Sequence, residues 1–315
     1  MAVTLAQAKL NTQDDLQLGI IDEFAKSSFI LNNIPFDDCV SPTGGGGTLT
    51  YSYTRQVTQP TAAFRKVNAE YTPQEVEKQR YSTDLKVFGG AFEVDRIIAG
   101  MGGIANEVTW QMSQKIKAAG ALFNDTVING NTSVNADVFD GLDVALAGSD
   151  TDVDSGSIDL STAANVTSNY MSFLDILDEF LLGLSETPDA LLMNGKMVAK
   201  MRAVARRASM YQTTKDNYGR NIDMYGEIPF VDLGAKAGSN NPVVATTSGK
   251  TAIYAVKFGL NAFHAVSMSG QMPVRSWLPD FTTAGAVKKG EVEMVAGCAL
   301  KTTKSCGVLR NVKVS

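Results

Sequence analysis

Residues 48–95 read TLTYSYTRQVTQPTAAFRKVNAEYTPQEVEKQRYSTDLKVFGGAFEVD, and they restrict the architecture more than any other part of the chain. Apolar and aromatic residues alternate with polar ones at the start, which is typical of a strand with one buried face: Leu49, Tyr51, Tyr53 and Val57. A second strand-like segment, residues 83–95, changes its apolar face at Gly89-Gly90, which predicts a β-bulge. The pattern predicts one long two-stranded arm with a polar, charged tip. Such a ribbon has too little core to be stable alone, so we expect it to lie on a partner.

The clearest helix in the sequence follows the arm, from Gly102 to Ile128. Its apolar residues recur every three or four positions, as on one face of an amphipathic helix: Ile104, Val108, Met112, Ile116, Ala119, Phe123 and Val127. The segment Asn129-Gly130-Asn131 supplies a stop signal. Such a helix spans roughly 40 Å at its rise per residue. An ordinary amphipathic core helix fits the same pattern.

The rest of the chain mixes helical and strand-like patterns, which predicts an α+β fold. Residues 16–24 have helical spacing, and the apolar residues 29–36 after them are expected to form an arm that packs on something larger. Residues 131–168 are expected to form an exposed, mobile acidic loop. Helices are predicted at residues 171–184 and 196–208, and strands at 190–193, 222–224, 228–233, 252–258 and within 292–314.

Charge is distributed unevenly along the chain. The net charge of −5 excludes a polycation built to neutralise nucleic-acid phosphate. Residues 118–195 hold 13 acidic residues and no Lys or Arg, whereas residues 196–220 hold seven basic residues against one Asp. The asymmetry favours a particle with one acidic face and one more basic face, although a solvated surface without directional meaning fits it too.

Composition also excludes several classes of active site. The chain has one histidine, His264, in an apolar run of strand length, so Ser-His-Asp and Cys-His relays and multi-histidine metal sites are nearly excluded and a structural histidine is expected. Cys298 and Cys306 are separated by seven residues and have no partnering Cys or His cluster, which is not a zinc spacing, so they are expected to be buried thiols. The N-terminal residues lack the pattern of a secretory signal, which favours a reducing cytosol. No apolar run approaches the length of a membrane helix.

Two motifs imitate ligand sites. The four glycines Gly44–Gly47 precede a strand rather than a helix, so a flexible turn is favoured over a phosphate loop. Asp150, Asp152 and Asp154 match the first positions of a calcium-binding EF-hand loop. The required glycine and glutamate positions are both serine, at Ser155 and Ser161, which argues against calcium. No cofactor and no metal are predicted.

The order of these segments, together with several local phrases, resembles the major capsid proteins of tailed bacteriophages, which share the Hong Kong 97 (HK97-like) fold. The phrases are PTAAFR at residues 60–65 with NAEY at 68–71, FGGAFEVDR at 88–96, FDGL at 139–142, DALLMN at 189–194, YGR at 218–220 and GEIP at 226–229. The resemblance covers nearly the whole chain. No single phrase is diagnostic, but their combination in this order is specific.

The resemblance implies a division of the chain into named regions. These are an N-terminal arm at 1–47, an extended β-loop at 48–95, the spine helix and first part of the peripheral domain at 96–145, an axial domain at 146–272 and the second part of the peripheral domain at 273–315. Family members form icosahedral shells of pentamers and hexamers around double-stranded DNA. The extended loop is then expected to lie over a neighbouring subunit.

Two sets of residues are predicted to serve assembly. The extended-loop tip carries residues suited to contacts between subunits: Arg65, Lys66, Glu70, Tyr71, Glu75, Glu77, Lys78 and Arg80. Glycine-rich joints are expected to let one chain occupy slightly different positions in a shell: Gly44, Gly45, Gly46, Gly47, Gly89 and Gly90.

The resemblance also implies partners and a location. The expected partners are further copies of the chain, a separate scaffolding protein, a portal, decoration or tail-connector proteins, and DNA packaged without sequence-specific binding. About 40 residues precede the arm, so we expect either a separate scaffolding protein or a processed form. Assembly is expected in the host cytoplasm, and the product is a virion capsid with no membrane. An encapsulin-type nanocompartment and, remotely, a carboxylate-dependent enzyme are the alternatives.

Overall fold

The computed structural model describes residues 29–40, 47–100, 107–210, 212–215, 221–239, 241–268 and 274–315. Its strands are β1 (Phe36–Asp38), β2 (Thr50–Gln56), β3 (Lys78–Asp84), β4 (Lys86–Asp95), β5 (Asp152–Asp154), β6 (Ala190–Met193), β7 (Gln212–Lys215), β8 (Asn221–Tyr225), β9 (Ile228–Asp232), β10 (Lys250–Val256), β11 (Phe263–Ser267), β12 (Val274–Trp277), β13 (Val287–Leu300) and β14 (Cys306–Lys313). Its helices are α1 (Phe29–Asn33), α2 (Arg96–Gly100), α3 (Glu107–Asn129), α4 (Leu142–Leu146), α5 (Ala163–Leu182) and α6 (Gly195–Arg207), and a 3₁₀ turn covers Thr303–Ser305. The α+β class predicted from the sequence is confirmed.

A five-stranded sheet is organised around the long strand β13. Strand β4 pairs antiparallel with residues 287–296 of β13. Strands β12 and β11 pair antiparallel with β13, at residues 291–294 and 296–300. Strand β1 is parallel to β11, and the apolar residues of α1 just before it, Ile30 and Leu31, are buried in the core. The segment expected to pack on something larger therefore packs on its own chain.

A seven-stranded sheet forms the second layer, in the order β5-β14-β10-β6-β9-β8-β7. Helices α5 and α6 pack on one face of it, where Phe173, Leu177 and Met201 lie in a shared core. Residues of its other face, such as Leu192 and Val308, belong to the core around α3. The sheet is thus covered on both faces.

Helix α3 supplies the long central element that the sequence predicted. The apolar residues of the predicted stripe are buried: Met112, Ile116, Ala119, Phe123 and Val127. The ring of Phe123 stacks on Phe88 of β4 at 6.2 Å between centroids. With 23 residues, α3 is roughly 35 Å long. Residues 102–106 of the predicted helix, and the predicted helical segment at residues 16–24, lie outside the described residues.

The predicted arm is shorter in the structure, because one of its strands belongs elsewhere. Strands β2 and β3 form a two-stranded ribbon, but β4 is an integral strand of the five-stranded sheet. The predicted bulge at Gly89-Gly90 is wrong, since β4 pairs with β13 residue by residue without a shift in register. The change of face occurs at Leu85, the residue between β3 and β4 along the chain, which is buried in a small separate core with Val266 of β11 and Ala299 of β13.

One further expectation needs correction. Residues 131–168 are not one mobile loop, because Asp152–Asp154 forms β5 against β14 and helix α5 begins at Ala163. Thr162 is the N-cap of α5, and its side chain accepts a hydrogen bond from the Asn165 amide. The expected domain limits stay a prediction, and each sheet draws on both sides of one of them: β11 joins the five-stranded sheet, whereas the C-terminal strand β14 joins the seven-stranded one.

Candidate assembly interface

The root of the arm is fixed to the body by hydrogen bonds to the end of β13. The Tyr53 hydroxyl donates to the carbonyl oxygen of Leu300 at 2.8 Å. Arg55 donates through Nη2 to the same oxygen at 2.7 Å and through Nε to the carbonyl oxygen of Lys301 at 3.1 Å. These bonds set the direction in which the β2–β3 ribbon leaves the body.

Aromatic and cationic groups stabilise the same root. The rings of Tyr53 and Tyr81, opposite each other on β2 and β3, stack at 5.9 Å between centroids. The guanidinium of Arg55 lies 4.3 Å from the centroid of the Tyr81 ring, a cation–π geometry. Burial raises the pKa of Tyr53, so its hydroxyl stays a donor. Each strand of the ribbon is thereby tied to the other and to the body.

A second root contact joins β2 to β1. The Tyr51 hydroxyl donates to Asp37 Oδ2 at 2.7 Å, and Lys301 Nζ lies 3.8 Å from the same oxygen. Burial alone would raise the pKa of Asp37. Four neighbouring groups have the opposite effect and outweigh burial, so this pKa lies below its usual value: the Tyr51 hydroxyl, the Asp38 amide, His264 and Lys301. Burial and the contact with Asp37 raise the pKa of Tyr51.

His264 lies under this contact in β11 and is fully buried. Its ring meets the Tyr51 ring edge-on at 5.5 Å, and neither ring nitrogen has a hydrogen-bond partner among the described residues. Burial, with Lys301 nearby, lowers the pKa of His264 to about 4, so the imidazole is neutral at pH 7. This is the position of a structural histidine beneath the arm.

The tip of the arm, residues 57–77, contains no helix or strand. Its two sides are joined at the base, where the Val57 amide donates to the Glu77 carbonyl at 3.0 Å and the Glu77 amide donates to Thr58 Oγ1 at 2.7 Å. Further out, the Thr61 amide donates to Gln74 Oε1 at 3.1 Å. At the far end Asn68 adopts a left-handed conformation with φ of 67°, which an Asn tolerates in a turn.

All eight predicted tip residues are exposed: Arg65, Lys66, Glu70, Tyr71, Glu75, Glu77, Lys78 and Arg80. Their charged members make no ion pair with any residue the structure describes. The contacts they do make are local: Arg65 donates to the Ala69 carbonyl and lies 5.4 Å from the centre of the Tyr71 ring. The charges of the tip are therefore available to another molecule.

Sequence reasoning missed two kinds of residue in this arm. Phe64 and Val67 at the tip are almost fully exposed, at 107% and 89%. Their signal was the pair of apolar residues on either side of Arg65-Lys66 in an otherwise polar segment. The root residues Asp37, Arg55 and Leu300 carried no signal, because their contacts join positions that are far apart along the chain.

The predicted glycine joints fall into three groups. Gly44, Gly45 and Gly46 lie outside the described residues, and Gly47 forms an isolated bridge with Val40. Gly89 and Gly90 lie inside the β4–β13 ladder. A side chain at position 89 would run into the carbonyl oxygen of Val292, so glycine permits close approach of two strands there. Their role as joints stays a prediction.

The described residues contain no group of three or more His, Cys, Asp or Glu side chains arranged to hold a metal ion. Two of the three aspartates of the calcium-like motif are engaged by side chains of β14: Asp152 pairs with Arg310, and Asp154 accepts from Asn311 at 2.8 Å. Cys39, Cys298 and Cys306 are buried free thiols. None of the helices described has the length and hydropathy to span a membrane.

No protein-family model matches the chain, and no curated protein sequence matches it. Solved structures do match. The encapsulin of the holo-SrpI complex from Synechococcus elongatus PCC 7942 aligns with a TM-score of 0.63 at 15% identity, over 100% of this chain and 98% of that one. This chain has the Hong Kong 97 fold.

Phage structures support the same assignment of the Hong Kong 97 fold. A structure from Mycobacterium phage Bobi aligns at a TM-score of 0.60 and 12% identity, over 91% of this chain and 90% of that one. The capsid of Myoviridae phage XM1 aligns at 0.57 and 13%, over 90% and 91%. At such low identity the likeness lies in the order and packing of the elements. The resemblance inferred from the order of segments is thus confirmed at the level of the fold.

Proposed function

We propose that this chain is a structural shell protein that self-assembles as pentamers and hexamers into the icosahedral capsid of a bacteriophage, enclosing double-stranded DNA. The observation that carries the proposal is the arm, whose root is fixed to the body while the side chains of its tip are exposed. An exposed apolar pair, Phe64 and Val67, on either side of Arg65-Lys66 is the composition of a protein contact surface.

The arm is proposed to lie on a neighbouring subunit and to drive assembly. Arg65, Lys66 and Glu70 of the tip are exposed and form no ion pair with a described residue, so the tip can offer both signs of charge to a partner, and such contacts select register and orientation. The rigid root supports this role, because a pre-oriented arm loses less conformational freedom on docking than a free one. In this scheme the arm corresponds to the extended loop and α3 to the spine helix.

The proposal includes that this chain is not an enzyme. Its histidine is buried and neutral beneath the arm, and its thiols are buried. The proposed partners follow from the shell: other copies of the chain, a separate scaffolding protein, a portal, decoration or tail-connector proteins, and DNA held without sequence-specific contacts. The proposed location is the virion capsid, after assembly in the host cytoplasm.

An encapsulin-type nanocompartment is the second candidate. It is favoured by the alignment with the SrpI encapsulin, which extends over 100% of this chain. The two candidates differ in the contents of the shell: a phage capsid holds DNA and has one portal vertex, whereas a nanocompartment holds protein cargo.

Expression of the chain alone, and then with its neighbouring genes, tests both candidates by electron microscopy of the purified product. Closed particles of uniform size support a shell, and absence of any particle under both conditions contradicts it. Nuclease-protected DNA in particles from the native source supports the phage capsid. A co-purifying protein cargo in place of DNA supports the nanocompartment.

A further inference from the structure

The two edges of the seven-stranded sheet carry different charge. Strand β5 is at one edge and β7 at the other. Helix α5 lies toward the β5 edge, where Phe180 approaches Gly307 of β14, and α6 lies toward β8 and β9. Helix α5 has three acidic residues and no basic one, and α6 has five basic residues and no acidic one.

The β5 edge holds a cleft of about 480 Å³ between β5 and α5. Asp150, Asp154 and Glu179 line it and are exposed, and Ile176 and Phe180 supply apolar wall. None of these three carboxylates forms an ion pair with a described residue. We call this cleft the acidic edge.

The opposite edge presents arginines. On α6, Lys200 and Arg207 point toward α5, since Lys200 donates to the Ser161 carbonyl and Arg207 donates to Thr167 Oγ1. Arg202 points the other way, toward β8, where it pairs with Asp223. Arg206, one turn further along α6, shares this side of the helix, is exposed and makes no described ion pair. We call Arg202 and Arg206 the basic edge.

The two edges cannot neutralise each other within one chain. Arg207 at the end of α6 contacts Thr167, and Glu179 lies twelve residues further along α5, which is roughly 18 Å away along the helix. That separation exceeds the screening length of about 8 Å at physiological ionic strength. Each edge therefore acts as a separate surface toward solvent.

The chemistry of the acidic edge fits an arginine. Carboxylates at the rim match the planar donors of a guanidinium, and the apolar wall accommodates its aliphatic stem. A lysine would neutralise the negative charge, but its ammonium group cannot donate two parallel hydrogen bonds to one carboxylate as a guanidinium does. The basic edge of the same protein carries such arginines at the opposite side of the sheet.

We propose that the acidic edge of one copy receives Arg206 from the basic edge of the next copy, while Arg202 stays paired with Asp223 beside it. Because the two surfaces lie on opposite edges of one sheet, the contact is head-to-tail, and repetition with rotation closes a ring. This inference rests on the proposed shell function and names the contact that holds neighbouring copies around a ring.

Charge reversal tests the contact. Glu179→Arg and Arg206→Glu are made singly and together, and Asp137→Arg serves as the control because it makes the same change of charge at an exposed position outside the cleft. Each single reversal is expected to lower the yield of rings and shells at least about tenfold at unchanged thermal stability, since like charges then face each other. The double reversal restores assembly, and the control leaves it unchanged.

The outcomes separate this inference from the proposed function. Failure of the unaltered chain to form any particle, both alone and with its neighbouring genes, overturns the shell function itself. If the unaltered chain forms shells and either single reversal forms them equally well, the contact is wrong although the shell function stands. A double reversal that stays unassembled, or a loss caused equally by Asp137→Arg, also overturns the pairing.

Discussion

The guanidinium of Arg55 on β2 donates a 2.7 Å hydrogen bond to the carbonyl oxygen of Leu300, the last residue of β13. The same side chain donates a second hydrogen bond to the carbonyl oxygen of Lys301, so Arg55 contacts two consecutive residues. Strand β13 also pairs with β4 and lies on α3, so one side chain connects the arm to the central sheet of the body. The arm therefore leaves the body in a direction that these two hydrogen bonds define at its root.

Arg55→Ala is expected to loosen the root without unfolding the body. Loss of two hydrogen bonds and of the stacking on Tyr81 lowers the stability of the β2–β3 ribbon by about 1–3 kcal/mol. Hydrogen exchange of the amides in β2 and β3 measures the effect. Arg80→Ala is the matched control, because Arg80 donates to Ser52 within the ribbon alone. Equal exchange in the two variants would contradict a root fixed by Arg55.

His264 makes the stability of the fold depend on pH. Its pKa is about 4 in the folded chain against an ordinary value of 6.5, so between these pH values the unfolded chain binds a proton that the folded chain does not. Stability is therefore complete above pH 6.5 and falls as the pH drops toward 4, by about 3 kcal/mol from this residue.

The variant His264→Phe isolates that contribution. It is expected to have a flatter dependence of the free energy of unfolding on pH between 6.5 and 4, even where packing changes lower the stability at every pH. Denaturant unfolding at several pH values measures the slope. Parallel curves for the variant and the unaltered chain would show that Asp37 or another group causes the dependence.

Gly89→Ala tests whether this glycine serves strand packing or acts as a joint. A methyl group there meets the Val292 carbonyl, so we expect a loss of about 1–3 kcal/mol in the free energy of unfolding. Gly100→Ala is the control, since a methyl group there meets nothing within 4 Å. Unchanged stability with impaired assembly would instead indicate a joint.

Mature particles are expected to be held by non-covalent contacts. An isopeptide bond requires a neutral lysine held against an amide carbon, whereas Lys66 and Lys78 are exposed and the amide of Asn311 already donates to Asp154. Boiling in denaturing detergent under reducing conditions should release a single band near 33.6 kDa. A ladder of larger species would contradict this expectation.

The sequence predicted those structural features that depend on residues close together along the chain. The helical stripe from Met112 to Val127 predicted the buried face of α3, and the composition of residues 60–80 predicted an exposed, charged tip. Both follow from nearby residues alone, because helical periodicity and the solvation of charge need no knowledge of distant partners.

Such local patterns could not predict which strands pair with each other when they are far apart along the chain. Gly89-Gly90 suggested a bulge, but the face changes at Leu85, and one residue is enough to reverse every side chain of a strand. The partner of β4 lies some two hundred positions away in β13, so no local signal distinguished a body strand from an arm strand. For the same reason, the contact of Arg55 with Leu300 could not be anticipated.

The central claim, that the arm tip drives assembly, is tested most directly by replacing residues 60–75 with a short glycine-serine linker. Val57 and Glu77 are hydrogen-bonded neighbours, so the shortened ribbon can close without disturbing β2, β3 or the root. Electron microscopy and light scattering of this variant beside the unaltered chain measure assembly. We predict a folded, soluble monomer or a single ring in place of shells, whereas intact shells of normal size would contradict the claim.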